Sequence, residues 1–328
     1  MLNKPFPEAR VLSALQNANS LLLCTHISPD GDALGSLLAM GMALETLGKE
    51  VTLACADPVP EKYAFLPGVE RIVGAEALTG RRFDLALALD VAEEKRMGDC
   101  AAAFFAAPLT AQMDHHPTNP AYAALNAVDG EAAATGCLVY RAMTAWGIPL
   151  SPQTAACLYA AISTDTGNYS FRNTDAEAFA ITAELMEAGL ALDSLARHLH
   201  LLRETPHVRL LGRALCTLRL FGGGRCACLR LTPADYQAAE ARQEHSDKIV
   251  NYALYMPGVE MAYLADERKP GQTKFSLRAL PPRDVVRIAA KFSGGGHVLA
   301  AGCAVDLPLE QACAQMNAEF LAQLEEKA

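Results

Sequence analysis

Three short apolar runs in this chain stop directly at acidic or histidine residues. Leu21-Leu22-Leu23-Cys24-Thr25 runs into His26, Leu85-Ala86-Leu87-Ala88-Leu89 into Asp90, and Ala111-Gln112-Met113 into Asp114-His115-His116. Runs this short, without polar alternation, read as strands buried on both faces, and such strands belong to a parallel sheet covered by helices. In open α/β sheets the site lies outside the carboxyl ends of the strands, so all three acidic segments should meet on one rim. Carboxylates and imidazoles gathered there are costly to bury unless they hold something cationic. A pair of hard divalent ions satisfies that demand, and two such ions about 3.5–4 Å apart suit hydrolysis of a phosphoester.

The rest of the pattern agrees with a doubly covered sheet. Helices are expected over 7–18, 33–47, 101–107, 133–146 and 154–163, with strands over 51–54, 84–89 and 110–113. Residues 175–201 read as helical, leading toward a second domain, with Pro206 as a break near the boundary. Beyond Ala214 the pattern changes. Strands over 216–221 and 225–231 flank Gly222-Gly223-Gly224 as a hairpin, and further strands are expected over 259–264 and 273–280. Helices are expected over 233–242, 284–291 and 309–326. The division implied is 1–190 for the catalytic domain, 191–212 for a helical linker and 213–328 for a smaller mixed α/β domain.

Composition narrows the partners. The 328 residues carry a net charge of −9, which argues against a long duplex held on a basic surface. Residues 1–190 hold 11 Lys+Arg against 22 Asp+Glu, whereas residues 191–328 hold 17 against 15. The acidic part contains the metal-ligand candidates, and the more basic part has cations for an anionic substrate. The longest uncharged stretch, 142–164, is interrupted by Gly147, Pro149 and Pro152, so it reads as two helices with a loop and not as a membrane span. Ten cysteines include no CxxC pair and read as small core residues of a reducing cytoplasm.

Each segment alone has an ordinary alternative. Asp30 and Asp32 follow Pro29 at the start of a helix and suit turn and N-cap positions as well as ligation. The helix they start, with Gly35-Ser36 in its first turn, is expected to present free N–H groups to a phosphate. Asp90 is a possible strand cap, and Asp165, after an Ala-rich helix, a turn residue. Asp114-His115-His116 is harder to explain without metal or acid–base chemistry. His198, His200, His207 and His245 fit no motif and read as surface or linker residues.

Taken in order, His26-x-x-Pro29-Asp30-x-Asp32, then Asp90, then Asp114-His115-His116, then Asp165-Thr166-Gly167 resemble the DHH phosphoesterase superfamily. Gly294-Gly295-Gly296-His297 resembles the GGGH motif of the DHH-associated domain, so the resemblance spans nearly the whole chain. Length and layout are most similar to the cytoplasmic nanoRNase/pAp phosphatase group. Its members release nucleoside monophosphates from very short oligonucleotides, and many dephosphorylate 3′-phosphoadenosine 5′-phosphate (pAp).

The resemblance implies a parallel-sheet DHH domain and a DHH-associated substrate-binding domain with a cleft between them. It implies one ion on His26, Asp30 and a shared Asp90, and a second on Asp32, Asp90, His115 and Asp165. Asp114 would orient an imidazole, and His116 would serve the phosphate as hydrogen-bond donor or general acid. The ions implied are Mn(II), with Mg(II) or Co(II) as alternatives. Gly294, Gly295 and Gly296 would offer amides to an anion, with His297 and Arg278 contacting phosphate. A homodimer is the default assembly.

Three readings compete. The first is an exonuclease on short oligonucleotides with pAp phosphatase activity, with linear or cyclic dinucleotides as variant substrates. The second is a manganese inorganic pyrophosphatase of the same superfamily, which the GGGH sequence disfavours because those enzymes use a Lys- and Arg-rich C-terminal motif. The third is a non-catalytic nucleotide-binding module, which retention of every ligand position disfavours.

Overall fold

The computed structural model describes residues 4–326. The chain divides into two compact units, the first ending at Leu202 and the second beginning at Arg203. Among the described residues, no helix is long and apolar enough to cross a membrane.

The first unit opens with α1 (Ala9–Asn17), β1 (Ser20–Cys24), α2 (Gly31–Thr46), β2 (Glu50–Ala54), β3 (Leu85–Leu89), α3 (Ala101–Ala106) and β4 (Leu109–Asp114). It continues through β5 (Leu125–Val128), α4 (Thr135–Ala145), α5 (Pro152–Asp165), α6 (Ala176–Glu187) and α7 (Leu192–Ala196). The five strands form a parallel sheet in the order β2-β1-β3-β4-β5.

The period of two sorts its residues between two cores. Leu21, Leu23, Leu85, Leu87 and Leu89 pack with the α2, α4 and α5 side, whereas Leu22, Cys24, Ala86 and Ala88 pack with Met97 and Phe104 on the other. Both faces are dry, which is why the strands read as unbroken apolar runs. Strand β5 was not expected, because Leu125-Asn126-Ala127-Val128 is a short edge strand, interrupted by Asn126 and paired to β4 alone.

Small residues set how close the helices come. A Cβ on Gly35 of α2 would stand 2.3 Å from the Cys157 carbonyl oxygen of α5, and one on Gly136 of α4 would stand 2.6 Å from the Ala161 Cβ of α5. Only glycine permits these contacts. They draw together the N-termini of α2 and α4 and the C-terminus of α5. The helical reading of 175–201 holds only in pieces: Gly189, at φ +92°, ends α6, and a π-helical turn, Arg197–Leu201, follows α7.

The second unit contains α8 (Thr205–Cys216), β6 (Arg219–Phe221), β7 (Cys226–Leu231), α9 (Pro233–Ala239), β8 (Met261–Lys269) and β9 (Gln272–Ala279). It ends with α10 (Val285–Ala290), β10 (Gly295–His297), β11 (Ala300–Val305) and α11 (Leu309–Glu325). Its mixed sheet runs β10-β11-β9-β8-β7-β6, with only β7 and β8 parallel.

Two expectations are corrected here. Pro206 starts α8 and does not break a helix, since a first-turn proline loses no hydrogen bond. The segment expected as a strand from Cys216 is still helical there, because His207, Leu210 and Ala214 line one helical face against the sheet. Nine of the ten cysteines are buried, Cys216 being exposed, and none is bridged.

Candidate metal centre

The rim of the parallel sheet gathers the acidic segments. Asp90 leaves β3 in the left-handed region at φ +60°, 2% exposed, a conformation that aspartate tolerates better than most residues. Its two oxygens face different groups. Oδ2 lies 3.5 Å from His26 Nε2, and Oδ1 lies 3.8 Å from His115 Nε2. Three sets of side chains have ligand atoms close enough to share an ion: His26, Asp30 and Asp90; Asp32, His115 and Asp165; and Asp90, His115 and His116.

The spacings fit such an ion. His26 Nε2 is 3.9 Å from Asp30 Oδ1, and His115 Nε2 is 3.7 Å from Asp32 Oδ2 and 3.5 Å from Asp165 Oδ2. Ligands at about 2.0–2.2 Å from a common ion lie about 3–3.6 Å apart, so shifts of a few tenths of an ångström complete the shells.

Surrounding groups fix each ligand. The Nδ1 of His26 lies 2.7 Å from Ile27 O, and that of His115 lies 3.2 Å from Ala132 O, which leaves each Nε2 lone pair free for an ion. Arg96 Nη2 is 3.1 Å from the same His26 nitrogen; the shorter carbonyl contact assigns the proton to Nδ1. Asp32 accepts the amides of Thr135 (2.7 Å) and Gly136 (3.0 Å) at the start of α4, and the Ser36 hydroxyl at 2.9 Å. Thr135 Oγ1 also donates to Asp90 Oδ1 at 3.0 Å. Asn173 Nδ2 donates to Asp165 Oδ2 at 3.2 Å and to Ala133 O at 2.9 Å.

Asp114 is fully buried and stands behind the rim. It accepts from His116 Nδ1 at 2.8 Å and from Asn119 Nδ2 at 2.5 Å. The Asp114 carboxylate raises the His116 imidazole to about 9, against an opposing effect of burial. Burial pushes Asp32 well above the carboxylate range, with Asp90 and Asp165 adding repulsion, and burial likewise lifts Asp165 to about 6. Burial also works to raise Asp90, but the adjacent His26 and His115 imidazoles, 3.5 and 3.8 Å away, outweigh it, and its pKa is lowered. Buried carboxylates that raise one another by mutual repulsion are what a cluster suited to cations looks like.

Sequence reasoning missed Thr135, Asn119 and Asn173. Asn119 stands three residues after His116 and carried no separate signal, and Thr135 reaches the rim only through the folding of α4 onto α2. The α2 terminus is also corrected. Its first amides, Asp32 N and Ala33 N, both donate to Asp30 Oδ1 at 3.1 Å, so they are capped and not offered to a phosphate. Gly35 packs on α5, and Ser36 holds Asp32.

In the second unit, Arg278, Ala300 and His297 occupy one row across β9, β11 and β10. Paired positions share a face, so the guanidinium and imidazole project from the same side of the sheet. Burial lowers the Arg278 pKa, and its Nη1 donates to Leu277 O at 2.9 Å. The glycine run enters an edge hairpin, with Gly295 and Gly296 in β10 paired to β11. A Cβ on Gly294 would meet Gly302 O at 2.2 Å, and the Gly294 amide donates to Ala289 O, so that amide is not free for an anion. His207 and His245 are buried, against expectation. His207 Nδ1 contacts His245 O at 2.8 Å, and His245 Nε2 contacts Glu204 at 3.1 Å, so they brace α8 within this unit.

A parallel sheet with carboxylates and imidazoles grouped at ion spacing on its C-terminal rim defines a class, the metal-dependent hydrolases. Residues 20–162 match the model of the DHH family, N-terminal domain. The bifunctional oligoribonuclease and PAP phosphatase NrnA of Thermus thermophilus is 33% identical over 310 residues, covering 93% of this chain and 89% of that protein. The protein of the same name from Bacillus subtilis is 24% identical over 291 residues, covering 88% and 90%. An exopolyphosphatase-related protein from Bacteroides fragilis shares the fold, with a TM-score of 0.86 at 24% identity over 97% of each chain. The chain belongs to the DHH family.

Proposed function

We propose that this chain binds two divalent ions and hydrolyses phosphoesters of very short oligonucleotides and of pAp. The observation that carries the reading is Asp90, whose two oxygens face two separate ligand groups, as a bridging carboxylate must. His26 and Asp30 would complete one site, and Asp32, His115 and Asp165 the other. The donor set, rich in oxygen with two imidazoles, suits Mn(II), with Mg(II) or Co(II) next. Bound there, such ions supply Lewis acidity and an activated water at neutral pH.

The chain's own residues do the rest. Asp114 accepts from His116 Nδ1 and favours the imidazolium form, in which Nε2 also carries a proton that it would give to the leaving oxygen, with the ring left neutral and still held by Asp114. Thr135 and Ser36 keep Asp90 and Asp32 turned toward the ions. Arg278 and His297, sharing a face of the second sheet, are the groups we assign to a further phosphate of the substrate. The substrate class is supported by the Thermus and Bacillus relatives, which are named for oligoribonuclease and PAP phosphatase activity.

The test is product release with Mn(II) from pAp, a 5′-phosphorylated dinucleotide, an RNA pentamer, cyclic di-AMP and pyrophosphate, beside an Asp90→Asn control. Release of phosphate from pAp and of mononucleotides from the short RNAs, absent in the control, is expected. Turnover of pyrophosphate alone, or none at all, would overturn the proposal.

A further inference from the structure

The turn that follows Asp165 carries an aromatic ring that the mechanism above does not use. Gly167, Asn168 and Tyr169 are consecutive residues with positive φ, at +56°, +54° and +62°. The amides of Ser170 and Phe171 both donate to Thr166 O, at 3.0 and 2.9 Å. Tyr169 is turned inward: its ring stacks on Phe179 at 5.0 Å, and its hydroxyl meets Thr182 Oγ1 at 2.6 Å. Phe171 is turned the other way and remains 60% exposed.

That ring is nonetheless held in place. A Cβ on Gly167 would come within 2.4 Å of two of its carbons, so the ring lies against the glycine backbone and leaves its remaining surface open. Asn173 ties the far end of the turn to Asp165 Oδ2. Gly167 is two residues from Asp165, at most about 7 Å of chain. Arg172, the next residue, is exposed, with no ion-pair partner among the described residues. An apolar ring fixed beside a metal centre, next to an unpaired cation, has the chemistry to receive a nucleotide. A fixed ring also loses little rotamer freedom when a planar group stacks on it.

We propose that Phe171 is the stacking platform for the base of the nucleotide whose phosphate occupies the metal centre. This rests on the phosphoesterase reading of that centre. Stacking on a π-face is indifferent to base identity, so the platform would accept any of the bases of a short oligonucleotide.

The test compares AMP with ribose 5-phosphate, which lacks only the base, by titration calorimetry on the full chain with Mn(II). The wild type should bind AMP about 10-fold more tightly. Phe171→Leu keeps an apolar group on Gly167 but removes the π-face. It should bring the two ligands to near-equal affinity while leaving ribose 5-phosphate unchanged, and Phe171→Trp should restore the preference. A preference that survives Phe171→Leu, a wild type without one, or a parallel loss for both ligands would overturn the platform. Turnover of pAp by the wild type, measured alongside, judges the phosphoesterase reading separately, because the binding preference does not require hydrolysis.

Discussion

The rim of the first sheet and the Arg278–His297 row of the second both present groups suited to phosphate chemistry, but they are built differently. At the first rim, Asp32, Asp90 and Asp114 are almost wholly buried, and each has partners that fix its oxygens. In the second, His297 is exposed on an edge hairpin, and among the described residues the Arg278 side chain has one hydrogen bond, to its neighbour's carbonyl. Orientation is fixed in advance where charge must be concentrated on reacting atoms, and left adjustable where a flexible anion must be received. Changes at the first rim should therefore act on metal binding and kcat, and changes in the second row on KM.

The largest effect that could break this contrast is at Asp90. Asparagine keeps the size and tolerates the left-handed backbone, so Asp90→Asn should fold yet fall to background turnover in the product-release assay. Appreciable activity would show that the carboxylate does not bridge two sites. Next is Thr135→Val, which removes the hydroxyl on Asp90 and keeps the amide on Asp32. Metal titration should show affinity weakened about 10- to 100-fold, and unchanged affinity would make Thr135 a helix-start residue only.

Arg278→Ala should raise KM about 10-fold or more with kcat held. A fall in kcat at constant KM would place the guanidinium among groups felt only in the transition state and erase the contrast. The smallest effect concerns protons. Asp165 is lifted to about 6, and Asp32 is raised by burial, yet both must be ionised to bind a cation. Raising the pH from 5 to 7 removes the competing protons, so metal affinity should climb over that range and then level. Calorimetry near pH 6 in buffers of different ionisation enthalpy should register proton release, and an affinity indifferent to pH would contradict the assigned ligands.

Much of the first unit was legible because its strands are buried on both faces and stop abruptly at polar residues, which marks both the element and its functional end. The covering helices were legible from their length and caps. Strand β5 was not, because it is a four-residue edge strand interrupted by Asn126. The strands β10 and β11 were hidden in a glycine- and alanine-rich stretch whose pairing depends on close backbone approach, not on side-chain pattern. The proposed ligands stand out in sequence because they are Asp and His, the residue types such metal chemistry draws on. Their supports do not: Thr135, Asn119 and Asn173 are common polar residues whose role exists only after α4 and the turn past Asp165 are folded against the rim.

The measurement that bears most directly on the central claim is metal stoichiometry by mass spectrometric elemental analysis of the Mn(II)-loaded protein, wild type beside Asp90→Asn. Two ions per chain in the wild type, with both sites weakened together in the variant, is the predicted result. A single ion in the wild type, or two retained at full affinity without the Asp90 carboxylate, would contradict the bridged centre on which the proposed chemistry depends.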